Sequence, residues 1–238
     1  MMTPVLIFAL ELVALYGCGS YAMSRMAAWG FESSIGKAAF YLLLLPGVAL
    51  HESAHYLACL LTGTRVSHFV PFSPGNLPDG RLRLGYVRHE RRSAPVTALI
   101  GLAPIVINPI GVLVATVLLT PLTLTEAVSL QPEVFEERIL LSGFLMENPG
   151  VAAVWAYLIF SLALGSVPSR KDLSSLPVVL LLFALGVLAL SFFREGTENA
   201  LLLALADLSA RAMGIYALPA AVAATAALLL ALWSRRLR

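Results

Sequence analysis

The sequence predicts an all-α, polytopic membrane protein with about six transmembrane helices and a small cytoplasmic β-hairpin between spans two and three. Composition is the first reason, because 59% of the 238 residues are apolar and 13% are charged. Soluble globular domains carry about 25% charged residues. The second reason is that the apolar residues form runs of roughly the 20 residues that a helix needs to cross a bilayer.

Six apolar runs are candidate spans, and no repeat or linker divides the chain into separate domains. The fourth run is short and ends at Gly165, Ser166 and Pro168, which indicates a helix that stops inside the protein or at the interface. Residues 196–213 place charges among leucines at helical spacing and predict an interfacial amphipathic helix. The six runs are residues 4–23, 38–62, 95–120, 150–166, 174–193 and 215–233.

Loop charges predict the orientation, because short cytoplasmic loops are enriched in Lys and Arg. Loop 63–94 holds six arginines and the C-terminal tail three, whereas loop 121–149 holds five glutamates and one arginine. Both termini and loop 63–94 are therefore expected on the cytoplasmic side of the cell membrane, where the arginines meet anionic lipid head groups of the bilayer. The net charge of +2 is too small and scattered for a nucleic-acid footprint, so nucleic acid is excluded as a partner.

Within loop 63–94, the pattern predicts the β-hairpin. Val66–Phe72 and Arg81–Val87 are strand-like, and the second alternates between polar and apolar residues. The residues between them are rich in Pro, Gly, Asn and Asp, which favour turns.

The chemistry centres on an HExxH motif, His51-Glu52-Ser53-Ala54-His55, inside the apolar run 42–61. Residues i and i+4 share a helix face, so His51 and His55 can bind one Zn²⁺ while Glu52 lies beside the attacking water as a general base. Chance would give this motif in roughly 2 of 1,000 shuffled sequences. Ionisable groups in a span are costly unless paired, metal-bound or facing a wet cavity, and the alternative is a polar cluster or proton relay of a transporter.

A catalytic zinc site generally has three protein ligands and leaves a fourth position for water. Asp172 is the first candidate for the third ligand, because it follows the broken end of span four and lies on the same cytoplasmic side as the two histidines. The alternative for Asp172 is an interfacial carboxylate or a helix cap before Leu173. The candidates ranked behind it are Glu11, Glu147, Asp207, His68 and His89.

Three features of the chain resemble the site-2 protease family of intramembrane zinc metalloproteases. They are a membrane helix with HExxH, a strand-rich cytoplasmic loop, and a later Pro-containing break that ends in Asp. The resemblance covers roughly spans two to five. It implies cleavage of membrane-spanning helices near the cytoplasmic side, with His51, His55 and Asp172 as zinc ligands and Glu52 as the base. The chain is too short for the PDZ or nucleotide-sensing domains of some relatives, so it resembles a minimal core.

The second motif departs from the family's usual Asn-x-x-Pro-x-x-x-x-Asp-Gly form. Pro168 precedes Asp172 by four residues instead of five, no Asn stands three residues before Pro168, and Leu173 replaces Gly. The first motif, in contrast, matches in full.

Two secondary features could contact a substrate. Asn108, which precedes Pro109 in span three, could donate a hydrogen bond to a substrate carbonyl or oxyanion, or could instead hold neighbouring helices together. The edge of Arg81–Val87 could accept an unwound substrate segment as a further strand, and a hairpin that merely caps the cytoplasmic face is equally compatible.

Taken together, the residues and the resemblance predict a single membrane-embedded metalloprotease domain over residues 1–238. It would be a zinc metalloendopeptidase with one Zn²⁺ per chain that hydrolyses a peptide bond in or near a transmembrane segment of a membrane protein. Two alternatives stay open, namely a transporter or proton-relay protein, and a catalytically silent zinc-binding membrane scaffold. The sequence makes no prediction of oligomeric state.

Overall fold

In the residues that a computed structural model describes, the chain is mostly helical and contains short antiparallel strands. These residues are 3–76, 82–129, 134, 136–141, 143–169, 171–175, 177 and 197–236. The helices of this part are α1 (Thr3–Gly30), α2 (Ser34–Leu61), α3 (Ala94–Leu119), α4 (Leu124–Ser129), α5 (Phe144–Glu147), α6 (Pro149–Gly165) and α7 (Thr197–Arg236), with a π-helical turn at Glu136–Leu141 and a 3-10 turn at Asp172–Ser175.

Four helices are long and apolar enough to cross a membrane, and they match predicted spans one, two, three and six. Predicted span four is α6, a shorter apolar helix of 17 residues. Predicted span five, residues 174–193, falls almost wholly outside the described residues, so the count of six stays a prediction. The outer faces of these helices expose large apolar side chains such as Val13 and Leu118, as expected for contact with lipid. The four helices are Leu6–Gly30, Ser34–Leu61, Ala94–Leu119 and Asp207–Ser234.

The separate amphipathic helix predicted at 196–213 is not a separate element. It is continuous with span six in α7, which runs from Thr197 to Arg236. Gly214 lies at the expected junction, but it ends no helix. Instead, its missing side chain leaves room for the backbone of Val128 in α4, which a Cβ at Gly214 would overlap.

The described part of the loop between α2 and α3 contains two short antiparallel strand pairs. The predicted second strand, 81–87, is broken into two by Leu84 and Gly85, and Arg81 lies outside the described residues. Leu84 still contributes to the hairpin, because its carbonyl accepts a hydrogen bond from the amide of Ser73 at 2.6 Å. The pairs are β1 (Val66–Val70) with β4 (Tyr86–His89), and β2 (Gly75–Asn76) with β3 (Leu82–Arg83).

Helices α2, α3 and α6 pack against one another, and the 3-10 turn at Asp172–Ser175 lies against α3. Apolar side chains such as Val112, Trp155 and Ile159 fill the space between them. Helix α1 packs along α7. The three-helix unit of α2, α3 and α6 positions the residues of the candidate site.

Candidate metal centre

The HExxH motif lies in the second half of α2, which stays helical from Ser34 to Leu61. As the helical spacing predicts, the rings of His51 and His55 lie on one face. Their Nε2 atoms are 3.1 Å apart. Both side chains are largely shielded, with 13% and 11% of the side-chain surface exposed.

Asp172 joins the two histidines from the 3-10 turn that follows α6. Its Oδ2 lies 3.6 Å from Nε2 of His51, and its Oδ1 lies 3.4 Å from Nε2 of His55. For bonds of about 2.0–2.2 Å to zinc, tetrahedral ligand atoms are about 3.3–3.6 Å apart. One ligand atom from each of the three residues lies within 4.8 Å of the others, so together they could hold one ion. Within the described part of the chain, they are the single group of three or more His, Cys, Asp or Glu residues that could hold a metal.

The Nδ1 atoms of both rings lie within hydrogen-bond distance of backbone carbonyl oxygens. Nδ1 of His51 lies 2.7 Å from the oxygen of Gly165, and Nδ1 of His55 lies 2.7 Å from the oxygen of Ile100. A carbonyl can only accept, so each Nδ1 carries the proton and donates it. In the neutral form of each ring, the lone pair of Nε2 then points towards the other ring and Asp172. This arrangement is typical of metal-binding histidines.

The end of α6 reaches His51 because two glycines let the backbones of α2 and α6 touch. The amide of Gly47 donates to Oγ of Ser161 at 2.9 Å. A Cβ at Gly165 would lie 2.6 Å from the carbonyl carbon of Gly47, which no real side chain tolerates. The close approach places the last carbonyl of α6, free of an intrahelical donor at a helix end, against His51.

Asp172 is fixed by its neighbours in the turn and by α3. The amide of Ser169 donates to Oδ2 of Asp172 at 2.6 Å, and the amide of Asp172 donates to Oγ of Ser169 at 3.2 Å. Gly101 lets the turn lie on the backbone of α3, because a Cβ there would be 3.1 Å from the carbonyl carbon of Asp172. Asp172 therefore makes the local contacts of a cap and also faces the histidines.

The charge of Asp172 suits a metal ligand. Its Oδ2 accepts the amide hydrogen of Ser169 at 2.6 Å, and a hydrogen bond to the charged form of a carboxyl favours that form. The group is therefore ionised, which is the form that binds metal.

Glu52 is half-buried beneath the hairpin. A Cβ at Gly85 would lie 2.7 Å from Cγ of Glu52 and 2.8 Å from the carbonyl oxygen of Pro71. Gly85 therefore packs directly on the side chain of the motif glutamate. The break between β3 and β4 covers the side of the site on which the predicted general base lies.

Asn108 is fully buried between α2 and α3. Its Nδ2 donates to the carbonyl oxygen of Gly47 at 3.1 Å, while its Oδ1 has no hydrogen-bond partner among the residues that the structure describes. The structure thus shows Asn108 joining two helices, next to the contact between Gly47 and Gly165. Its role towards a substrate stays a prediction.

The five other candidate ligands lie outside the group formed by His51, His55 and Asp172. Asp207 forms an exposed ion pair with Arg211, with 2.9 Å between Oδ2 and Nε. Nδ1 of His89 lies 2.8 Å from its neighbour's carbonyl oxygen. The remaining three lie on separate elements, namely Glu11 in α1, His68 in β1 and Glu147 at the end of α5.

Sequence reasoning did not identify Gly85 or the two backbone acceptors of the histidines. The available indications were a proline four residues after Ile100, which removes a helical donor, and the end of α6 at Gly165. Comparison of the chain with protein-family models, curated proteins and solved structures finds no match. The similarity to site-2 proteases therefore stays a prediction from the motifs.

Proposed function

We propose that the chain is an intramembrane zinc metalloendopeptidase that hydrolyses a peptide bond in or near a transmembrane segment of a membrane-protein substrate. The observation that carries the proposal is the convergence of His51, His55 and Asp172 within one helical bundle. Three protein ligands leave a fourth coordination position for water, as in catalytic zinc sites. A glutamate next to the first histidine completes the set of groups that peptide hydrolysis needs.

Each residue has a stated role in this proposal. His51 and His55 hold the ion through Nε2, and Asp172 holds it through its carboxylate. When bound, zinc polarises the scissile carbonyl and lowers the pKa of water to about 7. Glu52 takes the proton of the attacking water and delivers it to the leaving amine.

The location of the site follows from the hairpin. Segment 63–94 joins the adjacent ends of α2 and α3, so it lies at one face of the membrane. Its six arginines favour the cytoplasmic face of a cell membrane, which places both termini there if the chain has six spans. A substrate would then be cleaved near that face, where Gly85 and its neighbours shield Glu52 from the aqueous side.

Metal content tests the first half of the proposal. We expect about one zinc ion per chain in detergent-purified wild type, and loss of most of it in His55→Ala and Asp172→Ala. Asp207→Ala is the matched control, because it removes an exposed carboxylate on another helix. If Asp172→Ala keeps its zinc, Asp172 is not the third ligand. If folded wild type binds no metal, the proposal is wrong.

Cleavage tests the second half. Glu52→Gln should keep its zinc and lose at least about 100-fold in the rate of cleavage of single-span peptides in proteoliposomes, because proton transfer contributes about 10²–10⁴. A variant with the wild-type rate would exclude Glu52 as the base. Zinc without hydrolysis of any peptide in the panel would support the silent scaffold, and ion flux without hydrolysis would support the transporter.

A further inference from the structure

Three prolines inside α2 and α3 each leave a backbone carbonyl without its helical donor. Proline has no amide hydrogen, so the carbonyl four residues earlier loses its usual hydrogen bond. In each case, a side chain from another helix lies within hydrogen-bond distance of that carbonyl. Pro46 frees the carbonyl of Leu42, whose oxygen lies 2.7 Å from Oη of Tyr157. Pro104 frees the carbonyl of Ile100, whose oxygen lies 2.7 Å from Nδ1 of His55. Pro109 frees the carbonyl of Ile105, whose oxygen lies 2.7 Å from Oη of Tyr216.

We propose that Pro104 is a positioning residue for the metal centre, and this inference rests on the zinc site of the proposed function. By freeing the carbonyl of Ile100, it supplies the acceptor that holds the proton of His55 on Nδ1. The lone pair of Nε2 then points to His51 and Asp172. Pro104 touches none of the ligand atoms and acts through the backbone of its own helix.

The effect of restoring an amide follows from helix geometry. With Ala or Val at position 104, the new N–H lies in line with the carbonyl of Ile100 and competes with His55 for it. His55 is buried, and Ile100 O is the partner that Nδ1 contacts. Once that bond is weakened, the ring can carry its proton on Nε2, the nitrogen that must be free to bind zinc.

The same turn of α3 also makes room for the third ligand. Gly101 follows Ile100 directly, and the backbone of Asp172 lies against it. One turn of α3 therefore provides both the acceptor for His55 and the contact surface for Asp172. Any shift of the Ile100 carbonyl towards its own helix moves both contacts together.

Pro109 offers a matched control in the same helix. Both prolines are fully buried, and both substitutions remove a ring and add one amide. The carbonyl that Pro109 frees, however, belongs to Ile105 and is bonded by Tyr216 of α7, away from the metal centre. A general effect of removing a proline from α3 would appear equally in both variants.

The experiment compares Pro104→Ala and Pro104→Val with Pro109→Ala and Pro109→Val. Nitrogen NMR of histidine-labelled, metal-free protein reports which ring nitrogen of His55 carries the proton. Chelator competition reports the zinc Kd at fixed pH. We expect Nδ1–H in wild type and in both Pro109 variants, a mixture of tautomers in the Pro104 variants, and zinc binding weakened about 10–100-fold in the Pro104 variants, the range for partners of metal-binding histidines.

Two results would overturn the proposal. The first is a wild-type protein in which the ring proton of His55 is on Nε2, and this measurement needs no variant. The second is a pair of Pro104 variants that match the Pro109 variants in tautomer and zinc Kd. If wild type binds no zinc at all, the proposed function fails, while the tautomer of metal-free His55 still decides the role of Pro104.

Discussion

Gly47 is the position where one added methyl group should disturb the metal centre most. An alanine Cβ at Gly47 would lie 2.5 Å from the carbonyl carbon of Ser161 and closer still to its oxygen. Carbon atoms pack at about 3.5–4.0 Å, so α6 must withdraw from α2 by about 1 Å. The distance from Nδ1 of His51 to the oxygen of Gly165, now 2.7 Å, would then grow to about 3.7 Å, beyond the range of an N–H···O hydrogen bond.

Two quantities should change in Gly47→Ala. Overpacking of this kind costs about 1–3 kcal/mol of stability. Loss of the bond that orients His51 should weaken zinc binding about 10–100-fold. Gly17→Ala in α1 is the matched control, because a Cβ at Gly17 meets no atom within 4 Å.

The assay is zinc binding by chelator competition in detergent, read beside the thermal unfolding of the same samples. Circular dichroism at the assay temperature shows whether the Gly47 variant is still helical. A helical Gly47→Ala protein that binds zinc as tightly as Gly17→Ala would refute the reasoning, because the approach of α6 would then not position His51. Equal stability of the two variants would refute the packing argument as well.

Three further outcomes are expected. Gly85→Ala pushes a Cβ to within 2.7 Å of Cγ of Glu52, so peptide cleavage should fall while zinc stoichiometry stays near wild type; unchanged cleavage kinetics would show that the hairpin does not hold Glu52. Asn108→Ala removes the donor to the carbonyl of Gly47 and should lower the free energy of unfolding by about 0.6–1.7 kcal/mol, measured by denaturation in mixed micelles. Removal of zinc with a chelator should lower the Tm, and added zinc should restore it; a Tm indifferent to zinc would argue against a bound ion in the folded state.

The sequence predicts that His51, His55 and Asp172 lie close together, and for the two histidines this follows from their spacing within one helix. His51 and His55 are four residues apart on a helix, so their shared face follows from the helical period alone. Asp172 is 117 positions further on than His55 in the chain, and the charge pattern of the loops led us to expect it on the same side of the membrane. The distances between the three side chains agree with that inference.

The contacts that hold these side chains in place could not be predicted, because they join backbone segments that are far apart in the sequence. The bond from the amide of Gly47 to Ser161 joins residues 114 positions apart, and no periodicity in either helix indicates which glycine meets which carbonyl. The break at Gly85 was missed for a similar reason, since the alternation of 81–87 fits a regular strand and only the packing on Glu52 requires the interruption.

The continuity of α7 was missed because the two signals in its sequence pointed different ways. Charges such as Asp207 and Arg211 indicated a surface helix, and the apolar residues after Gly214 indicated a span. The structure accommodates both in one helix, with Asp207 and Arg211 paired on an exposed face. A change in polarity along a helix does not mark its end; a capping residue or a broken hydrogen bond does.

A polar site inside a helical bundle has few sources of hydrogen-bond acceptors, because helical backbones use their own carbonyls. The remaining sources are helix ends, gaps left by proline, and polar side chains. The candidate metal centre and the helix contact beside it draw on all three: the end of α6 at Gly165, the gap left by Pro104, and the hydroxyl of Ser161, which accepts from the amide of Gly47. In apolar runs, prolines and glycines therefore indicate where a buried polar site can form, and the ionisable residues indicate which chemistry it can perform. Substitutions at these small and cyclic residues should change metal binding even though none of them can be a ligand.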